Sequence, residues 1–164
     1  MPLPEGSQAP DFALAGIDGR EYRLSQALQR GPLLAVFIKT TCPACDLVMP
    51  YLKRLSETYR RDDWHLWVVS QNFTESSRDY AQRFDVSFPI VVDQPEEWAV
   101  SHAWDPPATP TLFLIDSDGR VEAVTWGFSK DDLNQMAARI ARHLGEPPKL
   151  VAQKDDGNPD FRPG

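Results

Sequence analysis

The stretch KTTCPACDLVMP, Lys39 to Pro50, contains both cysteines of the 164-residue chain. Cys42 and Cys45 are separated only by Pro43 and Ala44. Thiols at this spacing can open and close a disulfide, can supply half of a tetrahedral zinc site, or can sit buried as inert small side chains. A disulfide closing so short a loop restricts the unfolded chain little, so the spacing favours reversible exchange over stapling. Zinc would need further ligands from His65, His102 and His143, and none of these is paired at metal-ligand spacing. The expectation is therefore thiol redox chemistry, with no metal and no cofactor.

Such chemistry depends on what positions the sulfurs. LLAVFIK, Leu33 to Lys39, is a continuous apolar run of the kind expected for a central strand covered on both faces. It stops immediately before the cysteines. After them Val48, Tyr51, Leu52, Leu55 and Tyr59 recur at helical spacing, which predicts an amphipathic helix from about Pro43 to Arg60, kinked at Pro50. Cys42 then sits at the end of a strand and Cys45 in the first helical turn. Unpaired N–H groups and the helix dipole favour a thiolate there, so Cys42 is expected to have a lowered pKa and to act as nucleophile, with Cys45 resolving the mixed disulfide.

The remaining elements alternate. DFAL (Asp11 to Leu14) and EYRL (Glu21 to Leu24) flank Asp18-Gly19, a hairpin signal at the N-terminal side. HLWVVS (His65 to Ser70) reads as a second buried strand, followed by a helix over Glu75 to Phe84 and a short strand over Phe88 to Asp93. A helical segment near Glu96 to His102 precedes the loop WDPPATP. TLFLI and VEAVTW then flank Asp118-Gly119, a second hairpin. The last helix carries Ser129 and Asp132 as a capping box, a stripe of Leu133, Met136, Ala137, Ile140 and Leu144, and Gly145 as its stop. The pattern predicts one α/β domain over residues 1–145 and a polar, mobile tail over 146–164.

Composition narrows the partners. A net charge of −7 without a long basic run disfavours nucleic acid and anionic membrane surfaces. No apolar stretch approaches the roughly 18 residues that cross a bilayer, and Met1 to Glu5 do not read as a secretory leader, so a cytoplasmic monomer is expected. Trp64 and Trp67 fall on a strand pattern and are expected in the core. Trp104 and Trp126 lie next to the loops expected around the cysteines and are read as binding residues.

Three motifs in order carry a family resemblance. CPACDLVMP resembles the active-site helix of the thioredoxin-like superfamily, with Pro50 at the place of its helix-kinking proline. TPTLFLID, Thr109 to Asp116, resembles the segment with that family's cis-proline, which puts Pro110 beside the cysteines. WGFSKDDL, Trp126 to Leu133, resembles the stretch where a glycine, here Gly127, admits the substrate backbone. The opening SQAPDFALAGIDGREYRL and the extra helix-strand unit are similar to the redoxin group, which joins TlpA/ResA-type thiol-disulfide oxidoreductases with AhpC/TSA-related peroxiredoxins.

The resemblance implies a thioredoxin fold: a central mixed sheet flanked by helices, with an N-terminal β-hairpin and an inserted helix-strand unit. It implies a dithiol-disulfide oxidoreductase reducing protein or small-molecule disulfides and fed by an upstream thiol reductant. Thr41, Pro43, Ala44, Thr109, Pro110, Trp126 and Gly127 would contact the substrate. Peroxiredoxins carry Thr or Ser three residues before the first cysteine and Pro seven before, whereas this chain has Lys39 and Ala35. A peroxiredoxin-like peroxidase and a redox-responsive binding module that does not turn over are the alternatives. Thr41 stands where many relatives have Trp, and Val36 where thioredoxin buries an Asp, so proton transfer falls to Glu75, Lys39 or water.

Overall fold

A computed structural model describes every residue from Met1 to Gly164. A short hairpin, β1 (Ala13–Ala15) and β2 (Glu21–Arg23), leads into a brief helix α1 (Leu24–Leu28). The apolar run forms β3 (Leu33–Ile38), all six of its residues buried, and the cysteine helix α2 (Pro43–Thr58) follows with Pro50 inside it. Then come β4 (His65–Ser70), α3 (Thr74–Phe84), β5 (Ile90–Val92), α4 (Ala99–Trp104), β6 (Thr111–Ile115) and β7 (Val121–Trp126). The chain ends with β8 (Phe128–Ser129), α5 (Lys130–Leu144) and β9 (Phe161–Arg162).

The central sheet is mixed and five-stranded, in the order β5-β4-β3-β6-β7. β3, β4 and β5 run parallel, while β6 and β7 pair antiparallel. Strand alternation sends Leu34, Val36 and Ile38 to one face, where they pack with Val48, Leu52 and Leu55 of α2 and Leu133, Met136 and Ile140 of α5. Leu33, Ala35 and Phe37 face the other way, against Leu24, Leu28, Val100 and Trp104. A strand buried on both faces has no polar side to show. This is why β3 reads as an unbroken apolar run.

α5 starts as its sequence predicts. Ser129 Oγ accepts the Asp132 N–H at 3.2 Å, and the helix closes at Gly145 with Glu146 N–H donating to Ala141 O at 2.9 Å. Trp64 and Trp67 are buried as expected.

Residues 146–164 make contacts that their sequence does not announce. Val151 and Ala152 are buried against the α2–α5 layer, and Asn134 clamps them, its Oδ1 accepting both N–H groups and its Nδ2 donating to Ala152 O at 2.9 Å. Arg54 donates to Val151 O and Tyr59 to Pro147 O, each at 2.9 Å. The segment is polar and aperiodic because side-chain to backbone bonds from distant helices hold it, and these leave no local pattern. Trp104 departs from its reading. The loop next to it in sequence borders the cysteines, but α4 turns the indole inward, where it is 1% exposed.

Candidate active site

Strand register assembles the site before any side chain is considered. β3 and β6 are antiparallel with Phe37 opposite Thr111, so the end of β3 lies beside the start of β6. The same register logic puts the end of β7 there, because Trp126 pairs with Thr111. Cys42, Thr109, Pro110 and Gly127 therefore converge at one end of the central strands. Gly127 N–H donates to Pro110 O at 2.9 Å, and the Thr109–Pro110 peptide is cis, as the resemblance implies.

Cys42 is the N-cap of α2 and Pro43 its first residue, a position where a missing N–H costs the helix nothing. The Cys45 N–H donates to Cys42 Sγ at 3.2 Å, and the Cys42 thiol donates to Thr109 O, also at 3.2 Å. A helix-start amide thus faces the sulfur that must carry negative charge whenever it attacks or leaves. Cys42 is partly exposed, whereas Cys45 is 0% exposed in the layer containing Val36 and Ala44.

Burial pushes the Cys45 thiol well above the ordinary thiol range, reinforced by its contact with Cys42 and opposed by the Lys39 backbone amide and by Thr109. An unfolded chain ionises this thiol near pH 8.5, whereas the folded protein keeps it protonated. The stabilising contribution is therefore complete below that pH and is lost as the pH climbs toward the folded value. The unfolding free energy of the fully reduced protein, from urea titration, should fall between about pH 8.5 and 9.5, by up to roughly 1.4 kcal/mol per pH unit. Cys45→Ala should remove most of that slope; an equal slope in the variant assigns it to another group.

The other expected contacts are placed as follows. Thr41 and Pro43 are exposed beside Cys42, Ala44 is buried beneath it, and Trp126 is 50% exposed at the end of β7. Gly127 has φ +77, a left-handed conformation that L side chains rarely adopt. Trp104 does not belong to this group. Glu75 is exposed at the start of α3, and Lys39 extends over the Trp98 ring, its Nζ 5.7 Å from the centroid.

The structure adds groups that sequence reasoning missed. Trp98 donates from Nε1 to Gln71 O at 2.9 Å, and Thr40 N–H donates to Asn72 Oδ1 at 2.8 Å, so the end of β4 braces the strand-to-helix turn. Asp46, the residue after Cys45, accepts from Tyr80 Oη at 2.8 Å and pairs with Arg83 at 3.3 Å. Burial raises the Tyr80 phenol far above its usual range, with help from Asp46 and the two cysteines, so it stays a hydrogen-bond donor. An Asp followed by Tyr and Arg at helical spacing 34 and 37 residues later has no signature short of the fold.

Comparison with known proteins agrees with this geometry. The Redoxin family model matches residues 4–140. The chain belongs to the Redoxin family. It is 35% identical over 132 residues to the thiol-disulfide oxidoreductase ResA of Geobacillus thermodenitrificans (strain NG80-2), covering 79% of this chain and 74% of that one. To the ResA of Geobacillus kaustophilus (strain HTA426) it is 36% identical over 141 residues, covering 85% and 75%. The fold is shared with the thioredoxin domain of a thiol-disulfide oxidoreductase from Bacteroides vulgatus, with a TM-score of 0.75, 19% identity, and 84% and 99% of the two chains covered. This Redoxin family member is a thioredoxin-like oxidoreductase with its dithiol at the head of α2.

Proposed function

We propose that the protein reduces disulfides of proteins or small molecules by dithiol exchange through Cys42 and Cys45. The observation that carries this reading is the asymmetry of the pair. Cys42 Sγ lies at the surface, 3.2 Å from both Thr109 O and the Cys45 N–H, while Cys45 lies buried one turn behind it. The Cys42 thiolate attacks one substrate sulfur, forming a mixed disulfide and expelling the other sulfur as a thiolate, which takes a proton from water. Cys45 then gives up its proton to water, which passes it to the departing substrate sulfur, and attacks the Cys42 sulfur. This forms the Cys42–Cys45 disulfide and expels the second substrate thiolate. An upstream dithiol returns the two electrons and protons. Thr109 and Pro110, with Gly127 opposite, offer the substrate chain a backbone edge, and Thr41, Pro43 and Trp126 border it, whereas Ala44, buried beneath Cys42, does not reach it.

Electron flow toward the substrate goes with a reducing compartment such as the cytoplasm, where glutathione and thioredoxin systems keep thiols reduced. Catalytic amounts should accelerate insulin reduction by dithiothreitol, with the protein turning over many times. Peroxide consumption with the same reductant and no insulin turnover would replace this reading by the peroxidase. Stoichiometric oxidation with neither activity would replace it by a binding module.

A further inference from the structure

The segment after α5 crosses the groove in which a substrate strand is expected. β9 pairs antiparallel with β8, Phe161 opposite Ser129 and Arg162 opposite Phe128, and Lys130 N–H donates to Asp160 O at 3.0 Å. Beyond β9 the backbone closes over the site. A Cβ built on Gly127 would stand 3.2 Å from Arg162 O, and one built on Gly164 would overlap Thr109 O. Thr109 O is the same oxygen that accepts the Cys42 thiol. The position that resembles the family's substrate-admitting glycine is thus already approached by backbone, and that backbone belongs to this chain.

How the strap is held separates it from the core. Phe161 is exposed, so the strand buries little of its own. Its anchor lies upstream. The buried Lys130 ammonium donates to Asp156 Oδ1 at 2.7 Å and to Asn158 O at 3.0 Å, Tyr51 donates to Asp156, and Asn158 donates to Tyr51 Oη at 3.0 Å. The clamp at Asp156 fixes where the strap begins. Backbone pairing at Phe161 and Arg162 is what holds Phe161–Gly164, and such an edge pairing can exchange with another strand.

We propose that Phe161–Gly164 is a built-in competitor of the substrate strand, gating the site against extended polypeptides while leaving the partly exposed Cys42 open to small disulfides. The proposal rests on the oxidoreductase reading above. A protein substrate must displace the strap before it can pair along Gly127–Ser129. Because the strap is tethered, it competes at high effective concentration, and the apparent affinity for the substrate is the intrinsic affinity multiplied by the fraction of molecules in which the groove is open. A small disulfide needs no strand pairing and escapes the competition.

The test compares the full chain with a variant ending at Asp160 and with Gly164→Val, whose side chain would collide with Thr109 O. Both leave Val151, Ala152 and the Asp156 clamp in place. Both variants should lower KM for insulin about fivefold or more, with kcat unchanged and KM for oxidised glutathione within about twofold. Labelling of Cys42 by a polyethylene-glycol maleimide should accelerate by a similar factor, while labelling by iodoacetamide stays constant. Unchanged insulin KM and unchanged bulky labelling in both variants overturn the gate, as does a loss of glutathione turnover, which would make the strap part of the site. If the full chain reduces no disulfide at all, the oxidoreductase reading fails, and the ratio of bulky to small labelling still decides the gate.

Discussion

Cys42→Ser is expected to abolish disulfide turnover, lowering kcat/KM by about three orders of magnitude or more, the scale seen when the nucleophile of a catalytic unit is removed. Cys45→Ser should lose steady-state turnover almost as completely for a different reason. It should still attack, and it should accumulate a mixed disulfide that survives non-reducing electrophoresis. The difference follows from position. Cys42 Sγ is reachable and faces the Cys45 amide at 3.2 Å, whereas Cys45 is 0% exposed and protonated well beyond the ordinary thiol range. Iodoacetamide should therefore modify Cys42 much faster than Cys45 in the reduced protein. Faster modification of Cys45, or a trapped adduct in Cys42→Ser instead of Cys45→Ser, would reverse the roles and refute the mechanism.

The parts of this molecule that could be read from its sequence are those whose stabilisation is local or periodic. β3 is legible because both of its faces are covered, which forces six apolar residues in a row. α5 is legible because its cap, stripe and stop lie within one continuous stretch. The cysteine pair is legible because strand, dithiol and helix adjoin in the chain. What stayed hidden depends on partners far apart in sequence. The segment 146–164 is held by Asn134, Arg54, Tyr51, Tyr59 and Lys130, and only Val151 and Ala152 of its residues are buried. The Asp46–Tyr80–Arg83 cluster needs α2 and α3 laid side by side before it exists. Nor does the sequence reveal the burial of Trp104, because proximity to a loop says nothing about which way a helix turns.

That last residue supplies the largest expected effect on the fold. The Trp104 indole meets Phe12, Phe37 and Phe113 with ring centroids 5.6, 5.7 and 5.1 Å away, and its Nε1–H donates to Pro10 O at 3.3 Å. Phe37 and Phe113 belong to β3 and β6, the strands that deliver Cys42 and Thr109 to the site. Truncation removes the ring, leaves a cavity among three aromatics and orphans an acceptor, so Trp104→Ala should cost about 3–5 kcal/mol, a large fraction of a typical domain's stability. Trp126→Ala, at a half-exposed indole beside the groove, should change stability by less than about 0.5 kcal/mol while raising KM for insulin. Urea titration followed by circular dichroism measures both losses, and insulin reduction measures the second variant's KM. A small loss for Trp104→Ala together with a large one for Trp126→Ala would interchange the two assignments, returning Trp104 to the binding surface and placing Trp126 among the residues that hold the sheet.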